Sequence, residues 1–382
     1  MQVYFDNAAT TAIDPEVIQE MLLVMQEHYG NPSSIHAHGR QVRTLIENAR
    51  KKVAKILRVS PAEIFFTSGG TEADNTALQR GIADNGIQHV ISSPLEHHAV
   101  LHVLEALEKS RQIKLTLLAV DAFGRPDLDQ LEEELKKSTN TLVSLMHANN
   151  EIGTLLDLEK VAILCGQYKA LFHCDTVQTM GHYPHELSKM QIDFITCAAH
   201  KLHGPKGVGF LYINHNVKIR PLLYGGAQER NMRGGTENVY GIVGLAKALE
   251  IAYENMDKHH LHIQGLKTYM MQRLKDCIPG CSFNGETDPQ KSLYTVLNVR
   301  FPEMEMGDML LFSLDIAGIS ASGGSACSSG SSIGSHVLSA IGVPDKHPSI
   351  RFSFSKYSTR EEVDFVVGKL QELCSEKVSP VA

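Results

Sequence analysis

The chain has 382 residues, enough for two domains and a large core. It is 43% hydrophobic and 21% charged with a net charge of -7. That balance fits an ordinary globular protein and excludes a nucleic-acid or membrane-surface protein, whose footprint is a basic stripe.

The opening stretch, MQVYFDNAATT, has neither a basic n-region nor an apolar h-region, so no signal peptide is expected. No uncharged apolar run reaches the roughly 18 residues of a membrane-spanning helix. The seven cysteines (165, 174, 197, 277, 281, 327 and 374) are an odd number spread over a long chain, the pattern of reduced thiols in a cytoplasm. Cys277 and Cys281 lack a second pair to complete a zinc site, and the histidines at 36/38, 97/98 and 259/260/262 read as solvated polar faces. No metal is expected.

In chain order, a short strand leads into the small-residue turn Asp6 to Thr11. A helix follows over 15–29, started by Asp14-Pro15. Gly30 to Ser34 is a loop, and 39–57 is an amphipathic helix. Strands are expected at 63–67, 89–93, 113–120, 141–147, 171–174, 192–198 and 207–213. Helices are expected at 71–85, 97–110, 127–137 and 157–169. This alternation predicts an α/β fold with a mostly parallel seven-stranded sheet and helices on both faces. A helix over 239–255 runs into a charged stretch, so a boundary is expected near 255. The large domain is then 13–255, and a smaller α+β domain is 256–382 with 1–12. The smaller part has strands at 293–300 and 350–354 and helices at 258–276, 306–317 and 360–374.

Ligands on such sheets sit beyond the carboxyl ends of the strands. Two apolar runs there end in Asp175 and in His200-Lys201, 26 residues apart. An acid and a lysine at one sheet edge suit pyridoxal 5'-phosphate (PLP), which needs an amine for its aldehyde and an acid beside its ring nitrogen. Lys206, between Pro205 and Gly207, is the rival lysine and reads as a turn residue. Ser68-Gly69-Gly70-Thr71 opens a helix, either as a bare N–H anion cradle or as a simple N-cap. Gly-Gly-Thr-Glu recurs at 234–237 before another helix, which suggests that this second cradle serves another subunit's site. His97 is placed to stack on a ring or to serve as a polar loop residue. Asn149 and Asn150 are placed to hold a ligand oxygen or to cap a turn.

Eleven of the fourteen residues from 322 to 335 are Gly or Ser, with Cys327 among them. A thiol in so polar a tract is reactive, and its thiolate needs a nearby base or positive charge, for which His97 is the candidate. Arg351, in the apolar run Ser349 to Ser353, is suited to a bidentate carboxylate contact.

Together these stretches resemble the NifS/IscS-like cysteine desulfurases of the class V aminotransferase superfamily. The resemblance rests on YFDNAATT (4–11), TSGGTEADN (67–75), EHHAV (96–100), HANNEIG (147–153), HCDTVQ (173–178), HKLHGPKGVG (200–209), RGGTEN (233–238), GSAC (324–327) and SIRFS (349–353). It implies a fold-type-I PLP-dependent transferase, a homodimer, that converts L-cysteine to L-alanine and passes sulfur to Cys327 as a persulfide. A sulfur-acceptor protein would take it on, for iron–sulfur clusters, thio-cofactors or tRNA. It implies a Schiff base on Lys201, Asp175 at the ring nitrogen, Gln178 at the ring hydroxyl and His97 stacked on the ring. Gly70, Thr71 and His200 would hold the phosphate, with Thr236 of the second subunit. Arg351 and Asn150 would hold the substrate carboxylate. The length of the Cys327 tract is similar to the IscS-type group. Relatives commonly have serine where this chain has Ala198, one hydroxyl fewer at the phosphate. Another class V reaction, a selenocysteine lyase or an aminotransferase, is the alternative.

Overall fold

A computed structural model describes residues 1–304, 309–323, 334–344 and 346–375. The strands are β1 (Val3–Tyr4), β2 (Ile64–Thr67), β3 (His89–Ser92), β4 (Lys114–Leu117), β5 (Thr141–Ser144), β6 (Leu171–Asp175), β7 (Phe194–Ala198), β8 (Gly209–Ile213), β9 (Ser282–Asn284), β10 (Val296–Arg300), β11 (Ile319–Ser320) and β12 (Ser349–Ser353). The helices are α1 (Pro15–Glu27), α2 (Ala37–Leu57), α3 (Gly70–Asp84), α4 (His98–Lys109), α5 (Leu128–Lys137), α6 (Leu158–Tyr168), α7 (Gln228–Asn231), α8 (Val239–Glu254), α9 (Met256–Cys277), α10 (Leu310–Ile316), α11 (His336–Ala340) and α12 (Arg360–Ser375).

Seven strands form one sheet in the order β2-β8-β7-β6-β5-β3-β4. All neighbours are parallel except β8, which is antiparallel to both β2 and β7. Side chains alternate across it. Ile91, Val143, Ile195 and Phe210 face a core built with α1, α2, α5, α6 and α8. Val90 and Leu142 pack against α3 and α4, and Phe194 and Leu211 pack against α3. Period-two burial on both faces is what near-continuous apolar strands of a covered sheet require.

A second core lies among α9, α10, α12, β10, β11 and β12, and it takes in Val3 and Phe5 from the start of the chain. Its sheet is antiparallel, β12-β10-β9, while β1 pairs in parallel with β11. Asn255 separates α8 from α9. Three elements here, β9, β11 and α11, were not expected. Each has five residues or fewer, too short to display a period.

The short α7 segment carries conformational strain. Glu229, Arg230 and Asn231 have φ of +44°, +57° and +65°, a left-handed run that costs roughly 1–2 kcal/mol per residue. A buried ion pair holds it: Arg50 Nη1 and Nη2 each donate to Glu229 at 2.8 Å, and Phe66 N donates to the same carboxylate. Arg230 Nη2 donates to Ile64 O at 2.7 Å. Glu229→Gln is expected to lose about 3–5 kcal/mol of stability, because Arg50 is left charged and buried. Urea denaturation checks this, and a loss below about 1 kcal/mol would show the pair to be dispensable.

Candidate active site

The carboxyl ends of β6 and β7 deliver the acid and the lysine. Asp175 is the last residue of β6, and one 3-10 turn (Ala199–Lys201) follows β7. Lys201 Nζ donates to Ala8 O at 2.6 Å and Ala9 O at 2.7 Å. Gln178 Nε2 donates to Ala8 O as well, at 3.1 Å. The N-terminal small-residue turn thus lies directly over the sheet edge.

A cavity of about 370 Å³ opens here. Its wall brings together Gly70, Thr71, His97, Asn150, Asp175, Gln178, His200, Lys201 and Arg351, with Ala198 among them. Thr236 is exposed and outside this wall. Cys327 lies outside the described residues. Lys206 is exposed on its turn. Asn149 is tied up elsewhere: its Nδ2 donates to Leu95 O, and its Oδ1 accepts from Glu151 N and Ile152 N. Of the two asparagines, Asn150 is the one in the wall.

The start of α3 fits an anion. Gly69, its N-cap, has φ +155° and offers no side-chain cap to the first-turn N–H groups. At Gly70 a Cβ would come within 2.8 Å of Val177 Cγ2, so only glycine fits. Bare N–H groups on a 15-residue helix suit a phosphate. His97 caps α4 through Nδ1, which accepts from Ala99 N at 3.1 Å. Burial holds His97 below its ordinary pKa, against the pull of Asp175. His200 is pushed down to about 4 by burial and by Lys201 and Lys206, so it is a neutral imidazole.

Asp175 accepts from Val177 N at 2.8 Å. Burial, then Asp74, push its carboxyl up to about 6. A buried carboxylate is costly without a cation beside it, and a protonated ring nitrogen would supply one. On these observations the residues fit PLP. The cofactor's phosphate, ring nitrogen and aldehyde would each meet matching chemistry.

Behind Asp175 lie groups that the sequence did not single out. Asp74 sits inside α3, where a carboxylate reads as surface. It is instead 1% exposed and borders the cavity. Its Oδ1 lies 3.3 Å from His173 Nε2, and neither atom has another partner among the described residues. His173 Nδ1 meets Ser144 Oγ at 2.8 Å. Glu96, also 1% exposed, accepts from Met146 N, and burial holds its carboxyl well above the usual range. Burial pushes Asp74 up to about 7 and His173 down to about 4. One proton therefore serves the Asp74–His173 pair, carried by the acid.

The pair has a consequence for stability. Between about pH 4 and 6.5 the unfolded chain also carries one proton on these two groups, on the histidine. Proton counts match, so the pair adds no slope there. Asp74→Asn removes the balance. His173 then stays neutral in the folded state while it charges in the unfolded one. Stability should fall as pH drops below about 6.5, by about 2 kcal/mol at pH 5 relative to wild type. Urea denaturation at pH 7 and 5 reads this, and equal slopes for both proteins would refute it.

The class-V aminotransferase family model matches residues 3–366. The chain belongs to the class-V aminotransferase family. Enzymes of this family use PLP. The chain is 44% identical to a cysteine desulfurase IscS of Dictyoglomus turgidum, over 97% of this chain and 94% of that one. Among solved structures, a NifS-like protein superposes with a TM-score of 0.90 at 40% identity, covering 98% of this chain and 100% of that one. A second, SspA in complex with cysteine, has a TM-score of 0.80 at 30% identity, covering 94% and 100%. The fold-type-I architecture read from the sequence, with its mostly parallel seven-stranded sheet, is the fold these structures share.

Proposed function

We propose that this chain is a cysteine desulfurase, a PLP-dependent sulfurtransferase that converts L-cysteine to L-alanine and passes the sulfur to Cys327. The observation that carries this is the convergence of Lys201, Asp175 and Arg351 on one cavity, in a chain 44% identical to a cysteine desulfurase. Bound PLP supplies an electron sink for the pair released at the substrate's Cα.

Lys201 Nζ would hold the cofactor aldehyde and, once freed by substrate, carry the proton between Cα and its neighbour. Asp175 would hold the ring nitrogen, Gln178 the ring hydroxyl and His97 a ring face. Gly70, Thr71 and His200 would hold the phosphate. Arg351 and Asn150 would take the substrate carboxylate; Arg351 Nε is buried and has no partner among the described residues. The exposed position of Thr236 supports its reaching the phosphate of a second subunit in a homodimer. The separate second core supports a small domain over 256–382 with 1–12, carrying the Cys327 tract. No helix among the described residues is long and apolar enough to cross a membrane, and the reading places the enzyme in the cytoplasm with a sulfur-acceptor protein.

The test is visible absorbance of the purified protein before and after L-cysteine, with sulfide and alanine assayed together. A cofactor band that shifts, with both products formed, is the expected result. A band that shifts without alanine would move the enzyme to another class V reaction, and a protein that PLP cannot colour would remove the cofactor.

A further inference from the structure

The segment 5–9 runs along β12 and is pinned to it. Ser353 N donates to Phe5 O at 2.7 Å, Asn7 Nδ2 donates to Ser353 O at 2.8 Å, and Ala8 N donates to Ser353 Oγ at 2.8 Å. Residue 6 is thereby held beside Arg351, two positions along the same strand. Arg351 Nη2 donates to Asp6 Oδ1 at 2.8 Å, and its Nη1 donates to Asn150 O at 3.0 Å. Ser322 Oγ donates to the same Asp6 oxygen at 2.7 Å. Arg351 itself is 1% exposed.

A guanidinium stays charged at every physiological pH and presents its N–H groups in a fixed plane. Buried, it needs a counter-charge. Its long side chain also needs holding, because a planar carboxylate contact is only as well oriented as the plane that makes it. Asp6 meets both needs from a different element than Asn150, so two strand-end segments fix the two terminal nitrogens. Ser322, whose backbone also pairs with Arg351, locks the Asp6 carboxylate in turn.

We propose that Asp6 is a positioning residue for substrate recognition: it holds the Arg351 guanidinium so that the α-carboxylate of the amino-acid substrate meets it in one orientation. The same tract, through Ala8 O and Ala9 O, holds Lys201 Nζ. One short stretch of chain thus sets the separation between the groups that meet the substrate's amino end and its carboxylate end. The choice of substrate rests on the desulfurase reading above.

The test titrates the visible band of holoenzyme with L-cysteine and with cysteamine, which lacks the carboxylate. Asp6→Ala should weaken L-cysteine at least about tenfold and leave cysteamine within about threefold. Asp6→Asn, which keeps an acceptor oxygen but removes the counter-charge, should fall between wild type and Asp6→Ala for L-cysteine and stay within about threefold of wild type for cysteamine. Equal affinity for L-cysteine in Asp6→Ala and wild type would overturn the proposal. So would a loss shared equally by both ligands, or an Asp6→Asn protein as impaired as Asp6→Ala. If Asp6→Ala yields no holoenzyme, Asp6→Ser is read in the same way. Wild-type holoenzyme whose band ignores L-cysteine would instead overturn the functional reading itself.

Discussion

Lys201→Ala should lower the rate of alanine formation from L-cysteine by at least about a thousandfold. Two functions are lost at once. General acid–base transfer at a reacting carbon contributes typically 10²–10⁴ in rate, and the amine that fixes the cofactor disappears with it. The side chain is also structural, because Nζ donates to Ala8 O and Ala9 O. The measurement therefore includes cofactor content and circular dichroism beside turnover. A folded, PLP-loaded Lys201→Ala protein within tenfold of wild-type turnover would shift the lysine role elsewhere. Lys206 would not inherit it, because it is exposed on a turn outside the cavity wall.

Cys327→Ser should keep L-cysteine binding and lose sulfur transfer by at least about a hundredfold. In the proposed step the Cys327 thiolate attacks the substrate sulfur. An S–S bond forms, the C–S bond breaks with its electron pair left on carbon, and that carbon takes a proton to become the alanine methyl. A serine hydroxyl is too weak a nucleophile at neutral pH to replace a thiolate. The assay follows alanine and sulfide in the presence of a reductant that regenerates the thiol. Unchanged sulfide output would sink the persulfide route while leaving the cofactor assignments standing.

Much of this site was legible because its parts sit where periodic patterns stop. Asp175 and Lys201 end apolar runs, and Gly69-Gly70-Thr71 breaks a strand before a helix begins. The sheet could be anticipated as mostly parallel, but the reversal of β8 could not. Its run Gly209–Ile213 is as apolar as the parallel strands of the sheet, and direction is set by the short turn after Lys201. The supporting groups were hidden for a different reason. Asp74, Glu96 and His173 look in sequence like a helix-surface acid, a loop acid and a stray polar residue in a strand. Their meaning lies in burial and in each other, which only the assembled sheet supplies. Asp6 was visible only as part of a turn, because its partner stands 345 positions away.

That last distance bears on when the enzyme becomes one during synthesis. The seven-stranded sheet, with Asp175 and Lys201 at its edge, is complete in the chain by residue 213. The seat for residues 5–8 is β12, near the other end of the sequence. A ribosome-bound chain can fold its first core as a unit while the N-terminal tract waits. Until β12 emerges there is no Arg351 and no strand to hold Asp6, although Thr11 and Asp14 already have partners at His200 and His203. Recognition of the substrate carboxylate would therefore be completed late in biogenesis, once the two distant ends of the chain have found each other.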